Sequence, residues 1–349
     1  MKLFKKVGCI MLIGTLVLGV SGCSKAKASK GELNVFNWTE YMPESVIKQF
    51  EEETGIKVNY STFSSNEDML AKVQSEAPGT YDIVVPSDYM VDLMVKQGML
   101  EEINKKNIPN LKNISPTYLD QYYDKGNVYS LPYQGGVVTL CVNKSKVTEP
   151  ITSYKQLFDE KYKNSLVVLD DTRIIIGMVA KSMGYSMSET DDAVLAKIKD
   201  RLLELKPNIV SYDSDSPKTV MIDGTASIGF IWNAEIAMSM KENPDIQVVF
   251  PEEGPYLFFD NFCIPKGAKN KENAERFIDF IYTPAIAKMI VEEYPYVTPN
   301  AEALKLLGTD YIDNSACNPP AEAIAKGEYV KEVGDKISVY DSMWTELKK

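Results

Sequence analysis

The stretch from Glu32 to Phe63, ELNVFNWTEYMPESVIKQFEEETGIKVNYSTF, decides the fold class of this chain. Its two ends, Glu32–Phe36 and Ile56–Phe63, have the apolar pattern of short strands. Between them, Pro43–Thr54 carries apolar residues at helical spacing, with proline near the first turn and Gly55 as the stop signal. A strand, a helix and a strand in this order predict the first unit of a mostly parallel sheet.

The same alternation continues along the chain. It predicts a helix at Ser65–Glu76, a strand at Tyr81–Val85 and a helix at Val91–Gln97. A second series begins after Gly135-Gly136, a candidate hinge, with a strand at Val137–Asn143. Its further strands are expected at Leu166–Leu169, Ala226–Ile231 and Gln247–Phe250. Its helices are expected at Thr152–Phe158, Ile174–Met183, Asp191–Leu205, Ala234–Lys241, Ala274–Tyr282, Pro284–Glu293, Glu302–Leu307 and Val339–Lys348. The sequence therefore predicts two α/β lobes, joined by more than one chain crossing, with helices on both faces of the sheets.

The overall composition excludes several classes of protein. Of 349 residues, 44% are hydrophobic and 25% are charged, which is typical of globular domains and too apolar for a disordered chain. The formal charge of −11 argues against nucleic acid or anionic lipid headgroups as partners. The chain contains no histidine, which excludes Ser-His-Asp and Cys-His catalysis and histidine-ligated metal sites.

The first 22 residues have the features of an export signal. Three lysines among the first six residues precede the apolar run Cys9–Val20, which is shorter than the roughly 20 residues of a membrane-spanning helix. The segment ends in Leu18-Gly-Val-Ser-Gly-Cys23, which resembles the lipobox of bacterial lipoproteins, where the cysteine is diacylated and becomes the new N-terminus. We predict lipidation at Cys23 and a tether over residues 23–31. The alternative is an ordinary signal peptide with an incidental cysteine.

Three further cysteines remain in the exported chain: Cys141, Cys263 and Cys317. An odd number permits at most one disulfide bond, and no pair has the spacing of a CxxC motif. Each lies among apolar or turn residues. We therefore predict small buried residues, with no disulfide framework and no thiolate metal site.

Aromatic and acidic residues follow the predicted strands. In open α/β sheets, ligands bind beyond the carboxyl ends of the strands. The segments at those ends are Asn37-Trp38-Thr39-Glu40-Tyr41, Ser87-Asp88-Tyr89, Asp170-Asp171 and Trp232-Asn233. Rings cover methylene groups and attract ammonium groups, and carboxylates accept their charged hydrogen bonds, so this set predicts a site for an elongated cation. Asp171 and Ser87 also fit helix caps, Glu40 fits a solvated charge, and paired carboxylates also fit a glycosidase.

Several motifs occur in one order along residues 32–349. They are NWTEY (37–41), ETGIKV (53–58), YDIVVPS (81–87), LDDTR (169–173), WN (232–233), PEEG (251–254) and YVTPN (296–300). In this order the chain resembles the spermidine/putrescine-binding proteins of bacterial polyamine ABC transporters. The resemblance implies a type II periplasmic-binding-protein fold, with two α/β lobes around a ligand cleft and hinge crossings between them. It places lobe one at 32–137 plus 259–302 and lobe two at 138–258 plus 303–349.

The resemblance also implies which residues contact ligand. By motif position, the aromatic box falls on Trp38, Tyr41, Tyr89, Trp232 and Tyr296. The polar contacts fall on Thr39, Glu40, Ser87, Asp171, Ser214 and Asp260. Among these, Asp260 resembles the carboxylate that pairs with a terminal ammonium, and Asp171 the one that pairs with an inner amine.

The chain departs from the family pattern at three positions. Ile174 stands where the family has a second acidic residue, Phe258 replaces a tryptophan, and Val330 replaces a glutamine. Conversely, Glu235 stands where putrescine-selective relatives carry an ammonium-binding aspartate. These departures leave the choice between putrescine and spermidine open.

The expected function is that of a polyamine-binding lipoprotein that delivers its ligand to an ABC permease. We expect a monomer that catalyses no reaction, uses no cofactor or metal, and is held by lipid at the extracytoplasmic side of the cell membrane, in a periplasm or on the outer face. Three alternatives remain: a binding protein for another cationic solute, a surface hydrolase with two carboxylates, and a surface sensor that does not serve transport.

Overall fold

The computed structural model describes residues 31–349, so the predicted signal peptide and the lipidation of Cys23 concern residues outside this range. Within it, the strands form one mixed sheet. They are β1 (Glu32–Trp38), β2 (Lys57–Phe63), β3 (Ile83–Val84), β4 (Ser130–Asn143), β5 (Leu166–Val168), β6 (Ile209–Tyr212), β7 (Ile228–Trp232), β8 (Ile246–Val249), β9 (Tyr256–Cys263) and β10 (Glu328–Tyr329).

The strand order is β2-β1-β3-β9-β4-β7-β5-β6, with β8 paired to β4 and β10 to β9. At one end β1 runs parallel to β2 and β3, and at the other β5 runs parallel to β6 and β7. Between these two parallel groups lie β4 and β9, which pair with each other in antiparallel direction. The sheet therefore has two parallel halves, as predicted, and two central strands that connect them.

Helices follow most strands in the predicted alternation. They are α1 (Glu44–Thr54), α2 (Asn66–Ser75), α3 (Asp88–Lys96), α4 (Thr172–Ser182), α5 (Asp192–Leu205), α6 (Lys218–Ile222), α7 (Asn233–Glu242), α8 (Lys271–Ile281), α9 (Pro284–Glu293), α10 (Ala301–Leu304), α11 (Thr309–Ile312), α12 (Ala321–Lys326) and α13 (Ile337–Lys348). None of the helices in residues 31–349 combines the length and the apolar character needed to cross a bilayer.

The central strands differ from the sequence prediction. β4 begins at Ser130 instead of Val137, so the candidate hinge Gly135-Gly136 lies inside a paired strand. A Cβ atom at position 136 would lie 2.0 Å from Asn233 Oδ1, so packing demands glycine there. The sequence pattern did not predict β9. Both faces of this strand are buried, so its sequence lacks the alternation of apolar and polar residues that marks a half-exposed strand.

Two other predicted elements differ from those in the structure. The helix expected at Thr152–Phe158 is a 3₁₀ segment, Tyr154–Phe158, and α3 begins at Asp88, three residues before the predicted start. The predicted burial of the cysteines is confirmed for Cys141, Cys263 and Cys317, and the thiol groups of these three are free in the structure.

Candidate functional site

A cavity lies where the two halves of the sheet face each other, beyond the carboxyl ends of β1, β6 and β7. It contains about 420 Å³ of space, part of it open to solvent. The side chains that line it are Trp38, Thr39, Glu40, Tyr41, Phe63, Ser64, Ser87, Ser214, Asp215, Trp232, Glu235, Phe258, Asp260 and Tyr296. Eleven of the thirteen residues proposed from the sequence are in this set, and both halves of the sheet contribute to it.

Asp260 forms the inner polar end of the cavity. It lies on β9 and is 3% exposed. Ser87 Oγ donates a hydrogen bond of 2.6 Å to its Oδ1, and Tyr41 OH donates one of 2.6 Å to its Oδ2. Within residues 31–349 no lysine or arginine pairs with this carboxylate, so two neutral hydroxyl groups are the partners that hold it in place.

Burial raises the pKa of Asp260 to about 7, although the two hydroxyl donors act in the opposite direction. A carboxylate in a dry environment without a cation is an unfavourable arrangement, because its charge is neither hydrated nor neutralised. An ammonium group in the cavity would supply the missing charge. This end of the cavity therefore favours a cationic ligand.

A second acidic end is formed by Glu40 and Glu235. Glu235 lies in the first turn of α7 and is 2% exposed, and Glu40 lies in the loop after β1. Lys218, the first residue of α6, forms ion pairs with both carboxylates, at 3.2 Å to Glu235. Burial raises the pKa of Glu235 to about 7; Lys218 partly offsets this effect, and the charge of Glu40 adds to it.

Aromatic rings form the walls between the two acidic ends. The rings of Trp38 and Trp232 lie 6.4 Å apart, and Trp232 packs edge-on against Phe258 at 5.0 Å. Tyr296 lies 4.8 Å from Tyr41 and 6.1 Å from Phe258. Such a box suits methylene groups that lie between cationic ends.

Hydrogen bonds hold the indole rings in position. Trp38 Nε1 donates to the Val85 carbonyl oxygen at 2.8 Å, and Trp232 Nε1 donates to the Ser214 carbonyl oxygen at 3.1 Å. The Ser214 hydroxyl oxygen is shielded from solvent and has no hydrogen-bond partner among the described residues. It is therefore available to a donor within the cavity.

Two proposed residues do not line this cavity. Asp171 caps α4 by accepting a hydrogen bond from the Ile174 amide at 2.9 Å, which is the ordinary structural interpretation considered above. It borders an adjoining cavity that contains about 1070 Å³ of space, part of it open to solvent, and that shares Ser64, Ser214 and Asp215 with the first. Tyr89 is buried, and its hydroxyl donates to Glu67 Oε1 at 3.0 Å.

Four residues of the site were not proposed from the sequence: Phe63, Ser64, Asp215 and Lys218. Phe63 is the last residue of β2 and Ser64 follows it, so the strand-end rule that selected Trp38 and Ser87 could have found them. Ser64 Oγ donates to Asp215 Oδ1 at 2.7 Å, a contact between the two halves at the edge of the cavity. Nothing in the local pattern distinguishes Lys218 from other lysines of the chain.

Comparison with known proteins places the chain in a family. Residues 45–319 match the sequence profile described as bacterial extracellular solute-binding protein. The chain belongs to this family. Among relatives of this solute-binding protein, the spermidine/putrescine-binding periplasmic protein of Salmonella typhimurium is 38% identical over 341 residues, which cover 97% of each chain.

Solved structures of similar solute-binding proteins agree with the architecture. One, from Listeria monocytogenes, is described as a spermidine/putrescine ABC transporter; it is 34% identical, with a TM-score of 0.88 over 91% of this chain and 98% of its own. Another is the substrate-binding protein PotD of a spermidine/putrescine ABC transporter from Streptococcus pneumoniae, 33% identical with a TM-score of 0.76 and the same coverage. The predicted type II periplasmic-binding-protein fold is confirmed.

Proposed function

We propose that this solute-binding protein binds a small polyamine, putrescine or spermidine, and delivers it to an ABC transporter permease. The observation that carries the proposal is the Asp260 carboxylate, which is buried and has hydroxyl partners but no paired cation among the described residues. The names of relatives that bind spermidine and putrescine support the same ligand class.

In the proposed complex, one terminal ammonium pairs with Asp260 and the chain of methylene groups lies between the aromatic rings. The ammonium loses hydration on entry, and the charge-assisted hydrogen bonds of the carboxylate offset that loss. Thr39 and Ser214 would contribute neutral hydrogen bonds along the chain. Binding changes no covalent bond of the ligand, so we propose a carrier without catalytic activity.

Calorimetric titration of the purified protein tests this proposal. We expect saturable binding of putrescine or spermidine and none of 1,4-butanediol, which has the carbon chain of putrescine but no ammonium groups. The diol is the matched control because ring contacts alone would retain it. Absence of binding by both amines, or equal binding of the diol, would contradict the proposal.

We further propose that the predicted lobe boundaries describe the moving parts. β1, β2 and β3 lie in the first lobe range, and β5, β6, β7 and β8 in the second, while β4 and β9 run from one to the other. The cavity takes Trp38 and Asp260 from the first lobe and Trp232 and Glu235 from the second. Ligand bound to both would favour the closed arrangement, which the permease recognises.

Lipidation at Cys23 is the proposed means of membrane attachment, with Asp260, Tyr296 and the other cavity residues on the extracytoplasmic side. A diacylated cysteine provides the two acyl chains that stable anchoring requires. Cys23→Ala should therefore move the protein from the membrane fraction to the soluble fraction after cell lysis and centrifugation. A variant that stays in the membrane fraction although its signal segment has been cleaved would contradict the lipid anchor.

A further inference from the structure

Lys218 occupies the acidic end of the cavity that is formed by Glu40 and Glu235. Its side chain is 19% exposed, and its Nζ contacts Glu40 Oε2, both carboxylate oxygens of Glu235 at 3.2 Å, and Ser216 Oγ at 2.9 Å. An ammonium group has three N–H donors, and these three residues provide acceptors for all of them. The protein thus supplies its own ammonium group at the place where a ligand ammonium would otherwise bind.

The backbone of Glu40 indicates that this arrangement is built into the fold. Glu40 has a φ of 48°, in the left-handed region that side chains other than glycine seldom adopt. Such conformations persist where surrounding contacts determine them, and they cluster at ligand sites. Here the unusual backbone belongs to the residue whose carboxylate pairs with Lys218 and lines the cavity.

The charges around the cavity can be counted from these contacts. Three acidic groups, Glu40, Glu235 and Asp260, line the cavity, and Lys218 pairs with the first two, so the four groups carry a net charge of −2 when all are ionised. Asp215 also lies at the edge, but it is exposed and hydrogen-bonded to Ser64, so water screens its charge. Without Lys218 the same set would carry −3.

We propose that Lys218 is a specificity-determining residue that limits the cavity to two ligand charges, so that the site selects a diamine such as putrescine over a triamine such as spermidine. This inference rests on the proposed polyamine function and deepens it. A diammonium ligand neutralises the net charge of the cavity. A triammonium ligand brings one charge without a counter-charge, and Lys218 repels it.

The test compares putrescine and spermidine by calorimetric titration into the full-length protein and its variants. Lys218→Met keeps most of the length of the side chain and removes its charge, and Lys218→Gln removes the charge but retains a hydrogen-bond donor. Lys241→Met is the matched control, because Lys241 is exposed near the end of α7 and lies outside the cavity. Thermal unfolding of each variant establishes that it is folded.

We expect the wild type to bind putrescine more tightly than spermidine. Either Lys218 variant should shift the ratio of the two dissociation constants at least tenfold toward spermidine, with no shift in Lys241→Met. A ratio that stays within twofold of wild type in a folded Lys218 variant would overturn the inference, as would a wild type that prefers spermidine. Failure of the wild type to bind either amine would instead overturn the proposed function itself.

Discussion

We expect the Asp260→Asn protein to bind putrescine at least about 30-fold more weakly than wild type, a loss of about 2 kcal/mol or more. The asparagine has the shape of the aspartate, and its one amide oxygen can accept from one of the two hydroxyl groups, but it has no charge to pair with a buried ammonium. The NH2 group then needs the other hydroxyl group, of Ser87 or Tyr41, to turn from donor to acceptor, which a hydroxyl can do, so we expect the variant to fold.

Calorimetric titration measures this loss, with urea unfolding as the check of stability. Asp200→Asn is the control, since it makes the same chemical change at an exposed position of α5. It should bind putrescine as wild type does. A folded Asp260→Asn protein with wild-type affinity would remove Asp260 from the binding site.

The affinity for putrescine should fall by about tenfold for each unit of pH below about 7. In the ligand-free protein the pKa of Asp260 is raised to about 7 by burial, so a proton competes with the ligand ammonium for the carboxylate. Putrescine itself stays doubly charged, because primary amines resemble lysine and titrate near about 10. The Glu235 carboxyl also has a pKa of about 7, so its protonation should make the affinity fall more steeply as the pH is lowered.

Titrations at several pH values between about 5 and 8 measure this slope. The Asp260→Asn variant tests the role of this carboxyl group, because without it the affinity for putrescine should depend less steeply on pH. Asp88 also interacts electrostatically with Asp260, and burial holds the pKa of the Asp88 carboxyl well above the usual range. Affinity that is independent of pH in the wild type would contradict the role of these carboxyl groups.

The free energy of unfolding of the ligand-free protein should rise as the pH is lowered, whereas the affinity for putrescine should fall. In the unfolded chain, aspartate and glutamate titrate near about 4, whereas Asp260, Glu235 and Asp171 have folded pKa values of about 7. Between these values the folded state binds more protons, so the free energy of unfolding rises as the pH is lowered. Of these groups, Asp260 and Glu235 thus weaken the empty protein at neutral pH and strengthen ligand binding there.

The part of the sheet formed by β1 and β2 could be predicted from the sequence, because the residue pattern that marks these strands and the helix between them is local. Gly55 ends α1 in the left-handed conformation, with a φ of 72°, and strands β1 and β2 flank that helix as expected. The strand-end rule then led to Trp38, Glu40 and Ser87 without any alignment. Each of these three residues lines the cavity.

The inner part of the site could not be predicted from local pattern. Asp260 and Phe258 lie on β9, whose eight residues are all buried, so no alternation marks the strand or its faces. These two positions came from the family resemblance. Lys218 was missed for another reason: its importance depends on Glu40, which is 178 residues away and is brought to it by the fold.

The positions of the tryptophans make their intrinsic fluorescence a reporter of ligand binding. The chain contains three tryptophans, of which Trp38 and Trp232 line the cavity, whereas Trp344 packs against Tyr212 in the adjoining one. We expect a ligand that enters to displace water from the two cavity indoles and to change the wavelength and intensity of their emission. Replacing Trp344 with phenylalanine would leave a protein whose tryptophan fluorescence comes from the cavity alone, so occupancy could be followed in real time without any label.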